Sequence, residues 1–215
     1  MMRDKPKLYL IPGLGSDRRI FTGLKRQGLE FEVIEFIPPL PGEKLREYAI
    51  RLAAPIDVNQ PFIIGGVSLG GIMSVEIARH FQPEKVILIS SVKTAREVPF
   101  YFKLLRYLPL HRPMSGNFFK YYVPRDKRKG MADWHNEIVD QMRKDADPDF
   151  VKWAIHAVVH WRNQQVPENL IHIHGTHDVM FPAIFLGPRT TIQNGRHIMV
   201  LSNAELVMAE LEKHL

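Results

Sequence analysis

The chain contains no cysteine. Disulfides, thiolate-bound metals and a cysteine nucleophile are therefore excluded, and the absence fits a reducing compartment. No apolar run reaches the ~20 residues that cross a bilayer, so stable membrane insertion is not expected. The basic start Met1-Met2-Arg3-Asp4-Lys5-Pro6-Lys7 leads into an apolar run that stops at Pro12-Gly13. That run is too short for the apolar part of a secretory signal, and a cytoplasmic location is expected. Internal repeats and low-complexity segments are also missing.

What is present fits one globular domain. The 215 residues are 45% hydrophobic and 24% charged, enough for a sizeable core. The net charge is +6, and part of it sits in Arg125-Asp126-Lys127-Arg128-Lys129, which reads as a solvated loop. We find neither a nucleic-acid reader motif nor basic residues interleaved with aromatics on one surface, so nucleic acid is not an expected partner. Nothing in the sequence fixes an oligomeric state.

The most informative stretch is Phe62-Ile63-Ile64-Gly65-Gly66-Val67-Ser68-Leu69-Gly70-Gly71. A short apolar run enters Gly66-Val67-Ser68-Leu69-Gly70, and a helical pattern from Leu69 to Phe81 follows at once. Gly-x-Ser-x-Gly between strand and helix is the pattern of a nucleophile elbow, whose turn strains the Ser backbone and lifts its hydroxyl clear. Side chains at the flanking glycines would collide with the neighbouring strand and helix.

Apolar runs at Lys7–Ile11, 31–36, Lys85–Ser90, Leu170–His174 and Thr190–Gln193 read as further strands. With helical patterns at 44–54 and 203–213 they predict an α/β fold, a parallel sheet of about six strands covered on both faces. The character changes at 94–165. Aromatic and leucine residues crowd Phe100 to Tyr122, helices are predicted at 133–144 and 147–161, and no strand pattern interrupts them. This reads as a helical cap inserted after the fourth strand, with residues 1–93 and 166–215 as the core of a single overall domain. The aromatic run is either core packing of that insertion or the lining of an apolar pocket.

The order of Ser at an elbow, Asp after a later strand and His after the last strand resembles the α/β-hydrolase fold superfamily. The resemblance rests on Pro12-Gly13-Leu14-Gly15, Gly66-Val67-Ser68-Leu69-Gly70, His174-Gly175-Thr176-His177-Asp178 and Gly195-Arg196-His197, and so spans the chain. It implies Ser68 as nucleophile, His197 as its general base and Asp178 as the acid that orients the imidazole. It also implies the N–H groups of Leu14 and Leu69 as the oxyanion hole. The alternative acid position, after the fourth strand, reads Ser90-Ser91-Val92-Lys93 and holds no carboxylate.

Two departures stand out. Many members of the superfamily carry His-Gly where this chain has Pro12-Gly13, which removes a hydrogen bond expected to brace that loop. An antiparallel hairpin commonly precedes the Gly-rich loop, whereas here six parallel strands without one are expected.

The implied activity is hydrolysis of an ester or thioester of a small apolar acid through an acyl-enzyme, with no cofactor and no metal. Acyl transfer, carbon–carbon hydrolysis and lyase chemistry use the same triad and stay open, as does a ligand-binding or signalling role without turnover. Dehalogenases and epoxide hydrolases of this superfamily attack with Asp, and Ser68 argues against them. His172, His174 and His177 could suggest a metal, but no carboxylate cluster joins them. His156 and His160 have helical spacing, yet Ala157 stands where a zinc protease needs Glu. Arg18 and Arg19 read as surface residues, with steering of an anion as the other reading.

Overall fold

The computed structural model describes residues 5–108, 110–122 and 133–215. The basic run 125–129 lies outside them. Strands β1 (Lys7–Ile11), β2 (Glu32–Val33), β3 (Phe62–Val67), β4 (Lys85–Ile89), β5 (Leu170–Gly175) and β6 (Thr190–Ile192) form one six-stranded sheet. Its order is β2-β1-β3-β4-β5-β6, and every pairing is parallel. No antiparallel hairpin occurs among the described residues.

Period-two alternation decides which face each strand residue covers. Tyr9, Ile11, Ile64 and Leu88 join the apolar layer with α2 (Leu45–Leu52) and α3 (Leu69–Phe81). Leu10, Ile63, Ile87 and Ile173 join the opposite layer, with Leu24 of α1 (Thr22–Arg26). Because both faces are covered, the strands read as nearly continuous apolar runs.

Between β4 and β5 lie α4 (Phe100–Tyr107), α5 (Gly116–Tyr122), α6 (Asp133–Asp145) and α7 (Pro148–His160), the predicted helical insertion. Asp147 caps α7 by accepting the Asp149 N–H at 2.9 Å, with Pro148 at the first helical position. Phe150, Ala154 and Ala157 of α7 fill the same core layer as α2 and α3. Beyond its end, the Trp161 indole donates to Glu76 Oε1 at 2.7 Å.

One local expectation needs correction. The strand expected at 31–36 is only Glu32–Val33, because Phe36 leaves the sheet to pack on Phe150 at a ring separation of 4.6 Å. The Tyr48 hydroxyl also fixes both backbone groups of Ile37 there. The helix expected at 203–213 is α9 (Ala204–Glu212), preceded by a short α8 (Met199–Ser202). Glu76 of α3 is fully buried and paired with Arg79 at 2.7 Å.

The register carries the functional consequence. Ile11 pairs with Gly66, Val67 with Ile89, Ile89 with Ile173 and Gly175 with Ile192. The carboxyl ends of the central strands are therefore level, and the loops that follow them leave from one edge of the sheet, where open α/β sheets hold ligands.

Candidate active site

At the end of β3 the chain must reverse within a single residue to start α3. Ser68 does this at φ 52° and ψ −115°, a conformation that side chains rarely adopt. The turn closes only because the strand, helix and neighbouring strand nearly touch. A Cβ on Gly66 would lie 2.3 Å from the Gly70 carbonyl carbon, and one on Gly70 would lie 2.1 Å from Ile11 O. The Ser68 carbonyl accepts the Gly71 N–H at 3.1 Å and the Ser91 hydroxyl at 2.7 Å. Its side chain, half-buried, points out of this locked frame.

The loops after β5 and β6 are pressed together in the same way. A Cβ on Gly175 would sit 2.1 Å from Gly195 O, and the His177 N–H donates to that carbonyl at 2.9 Å. This contact sets the Asp178 turn against the loop bearing His197. His197 Nδ1 lies 2.9 Å from Asp178 Oδ2 and 3.0 Å from Oδ1. Its Nε2 lies 3.0 Å from Ser68 Oγ. Asp178 accepts only, so the imidazole donates from Nδ1 and keeps its Nε2 lone pair for the Ser68 hydroxyl proton.

Asp178 is buried, and Oδ1 also accepts the Met180 and Phe181 N–H groups at 2.9 and 3.0 Å. Burial by itself would raise its pKa. The charge and hydrogen bond of His197, with the Phe181 N–H and His174, outweigh that and hold it below the ordinary carboxylate value. The site therefore keeps a fixed anion behind an imidazole.

Gly13 completes the surroundings. A Cβ there would lie 3.4 Å from Ser68 Cβ, so the Gly-rich loop borders the hydroxyl. The following residue, Leu14, and Leu69 at the first position of α3 donate to no carbonyl among the described turn and loop hydrogen bonds. Leu69 is one of the leading helical N–H groups that lack an intrahelical partner. The brace that the Pro12-Gly13 sequence seemed to lack comes from Ser16, whose hydroxyl and N–H both donate to Gly13 O, at 2.9 and 3.1 Å.

No protein-family model and no curated protein sequence matches the chain. Solved structures do. An esterase from Thermogutta terrifontis aligns at TM-score 0.70 and 18% identity over 98% of this chain and 89% of that one. MenH from S. aureus aligns at TM-score 0.70 and 15% identity over 100% and 97%. An epoxide hydrolase of the α/β-hydrolase superfamily, from metagenomes of hot environments, aligns at TM-score 0.65 and 16% identity over 98% and 91%. The chain has the α/β-hydrolase fold.

On this α/β-hydrolase frame several other expectations find their place. His172 and His174 are buried and engaged with backbone carbonyls, at Ser91 O (3.0 Å) and Phe181 O (2.8 Å), while His177 is exposed. His156 Nδ1 meets His111 Nε2 at 3.0 Å, a partner 45 residues away that spacing could not suggest. No metal-binding group of three such residues occurs among the described residues. Arg18 is paired with Glu35, and Arg19 with Asp17 and Asp145.

Sequence reasoning missed the support behind the site. Lys93 and Glu97 are buried together, with Nζ 3.3 Å from Oε1, and Glu97 Oε1 also accepts the Gly187 N–H at 2.9 Å. Lys93 Nζ donates to Pro188 O at 2.8 Å. The pair ties the root of the helical insertion to the segment that follows Asp178. A Lys and a Glu four apart just after a strand were the available signal.

Proposed function

We propose that the protein is a serine hydrolase that cleaves an ester or thioester of a small, largely apolar acid. The observation that carries this is the continuous hydrogen-bonded chain from Asp178 through His197 to Ser68 Oγ. A neutral hydroxyl is a weak nucleophile, and an imidazole lone pair at 3.0 Å supplies the missing base.

Ser68 Oγ attacks the substrate carbonyl carbon as its proton passes to His197 Nε2. The imidazolium that forms is stabilised by Asp178. The carbonyl oxygen becomes an oxyanion, held by the Leu14 and Leu69 N–H groups, each contributing about 3 kcal/mol of transition-state stabilisation. Collapse expels the alcohol or thiol, which takes the proton from His197 and leaves an acyl group on Ser68. Water then gives its proton to His197, attacks the acyl carbon, and releases the acid as the proton returns to Ser68. No metal or cofactor enters these steps.

The helical segment 94–165 acts as the cap that shapes the acyl pocket. The Tyr101 hydroxyl donating to Met180 O at 3.1 Å, two residues past Asp178, supports that placement. The similarity to an esterase from Thermogutta terrifontis supports ester hydrolysis. No described helix is long and apolar enough to cross a membrane, and we assign the enzyme to the cytoplasm.

The test is a panel of p-nitrophenyl esters and acyl thioesters of graded chain length, run on the wild type and on Ser68→Ala. Turnover that falls about a thousandfold or more in Ser68→Ala is expected, together with fluorophosphonate labelling of the wild type alone. Equal rates in the two proteins would overturn the assignment.

A further inference from the structure

The aromatic run from Phe100 to Tyr122 is the sequence feature that the site leaves unused. As core packing it would be buried, yet no residue of α4 is. Phe100 is 67% exposed, Leu104 51% and Tyr107 77%, with Leu108 and Leu110 exposed beyond them. The spacing 100, 104, 107, 108 places these side chains along one side of the helix. The other side is committed. Phe102 packs on the core, and the Arg106 guanidinium donates to Val159 O and Trp161 O, so α4 is fixed with its apolar side outward. Through the Tyr101–Met180 bond the patch adjoins the loop carrying Val179, Ile184 and Phe185, also exposed. Scattered exposed apolar residues are ordinary, but a cluster of this kind marks a contact surface.

Charge says what kind of surface. From Val98 to Tyr122 there is no Asp or Glu, while Lys103, Arg106, Arg112 and Lys120 are all cations. Lys103, Arg106 and Lys120 donate to backbone carbonyls, which leaves their positive charge in place. The neighbouring groove, lined by Arg112, Lys152 and Asp149, is also net cationic.

We propose that this face is a docking surface for an anionic lipid bilayer, with α4 lying in the headgroup region and its apolar side turned toward the acyl chains. Exposed leucines distinguish this occupant from nucleic acid, whose bases stack on aromatic rings and give Leu104, Leu108 and Leu110 no partner. An isologous contact between two copies would set like charges against each other. The inference concerns binding alone and is independent of the chemistry at Ser68.

The experiment is flotation of the full chain with vesicles of phosphatidylcholine, alone or mixed with phosphatidylglycerol. Partition onto the mixed vesicles should exceed that onto the neutral ones by about tenfold, and should weaken as salt is raised. It should drop about tenfold in Leu104→Gln/Tyr107→Ser. Phe100→Ser, one turn earlier, should move it in the same direction, and Leu206→Gln, exposed on α9, should not. All these positions are exposed, so the variants should keep the wild-type melting curve. The proposal is overturned by absence of partition, by equal partition onto neutral vesicles, or by tighter binding to a single-stranded oligonucleotide. A dimer that forms at higher concentration and is lost in the double variant would also overturn it.

Discussion

Ser68 donates its backbone N–H to Ile89 O at 3.1 Å while holding φ at 52°. A residue with a strained backbone is therefore also the last rung between β3 and β4. Its neighbours enforce the strain, at a cost of order 1–3 kcal/mol.

Ser68→Gly should release part of that cost, because glycine has no Cβ to oppose this conformation. We expect Ser68→Gly to be more stable to urea than the wild type by about 1 kcal/mol, and Ser68→Ala to differ by less than about 0.5 kcal/mol. Both should be inactive. Equal unfolding midpoints for the two variants would show that the turn stores no strain.

Asp178→Asn keeps an oxygen for the Met180 and Phe181 N–H groups but offers His197 an amide in place of a carboxylate. The imidazole then loses the partner that selects its tautomer, and kcat should fall by about 10⁴ with little change in KM. A loss confined to KM would contradict the role given to Asp178.

Acid should weaken the fold before it protonates the buried carboxylate. Burial, then the Lys93 charge and His174, hold His172 at about 3, against an ordinary value of 6.5. The unfolded chain takes up a proton on this side chain near pH 6.5, and the folded one does so only near pH 3. Stability that is complete above pH 6.5 is therefore lost as pH falls toward 3, at no more than about 1.4 kcal/mol per pH unit. His174, lowered chiefly by burial, acts with the same sign. Asp178, also lowered, adds its loss only below its unfolded value of 3.8. Urea denaturation at several pH values should show this slope, and His172→Gln should flatten it. An unchanged slope in the variant would refute the account.

Glu97→Gln leaves the Lys93 ammonium buried without its counter-charge. Removing one member of a buried pair is costly, and Pro188 O compensates only in part, so a loss of about 2–4 kcal/mol is expected. Thermal melts would measure it. A change below about 0.5 kcal/mol would show that the pair is dispensable.

The fold was legible because its signals are local. Each central strand is a short apolar run with a turn behind it, and α3 is announced by the glycines around Ser68. Parallel pairing then brings Ser68, Asp178 and His197 to one edge, so their convergence follows from strand order, whereas the distances between them do not. The illegible parts depend on partners remote in sequence. Glu76 looks like a surface residue until Trp161, 85 positions away, is packed against it. Phe36 continues a strand pattern until Phe150 draws it out of the sheet. The outward face of α4 was not legible because a run of aromatics looks the same whether it packs in a core, lines a pocket or faces solvent.

The bond from Trp161 to buried Glu76 has a further consequence for engineering. An excision from 94 to 165 would strip that carboxylate of its indole donor and unroof Tyr48, which packs on Trp153 at a ring separation of 4.4 Å. The minimal folding unit thus includes α7, and any replacement of the insertion has to keep it.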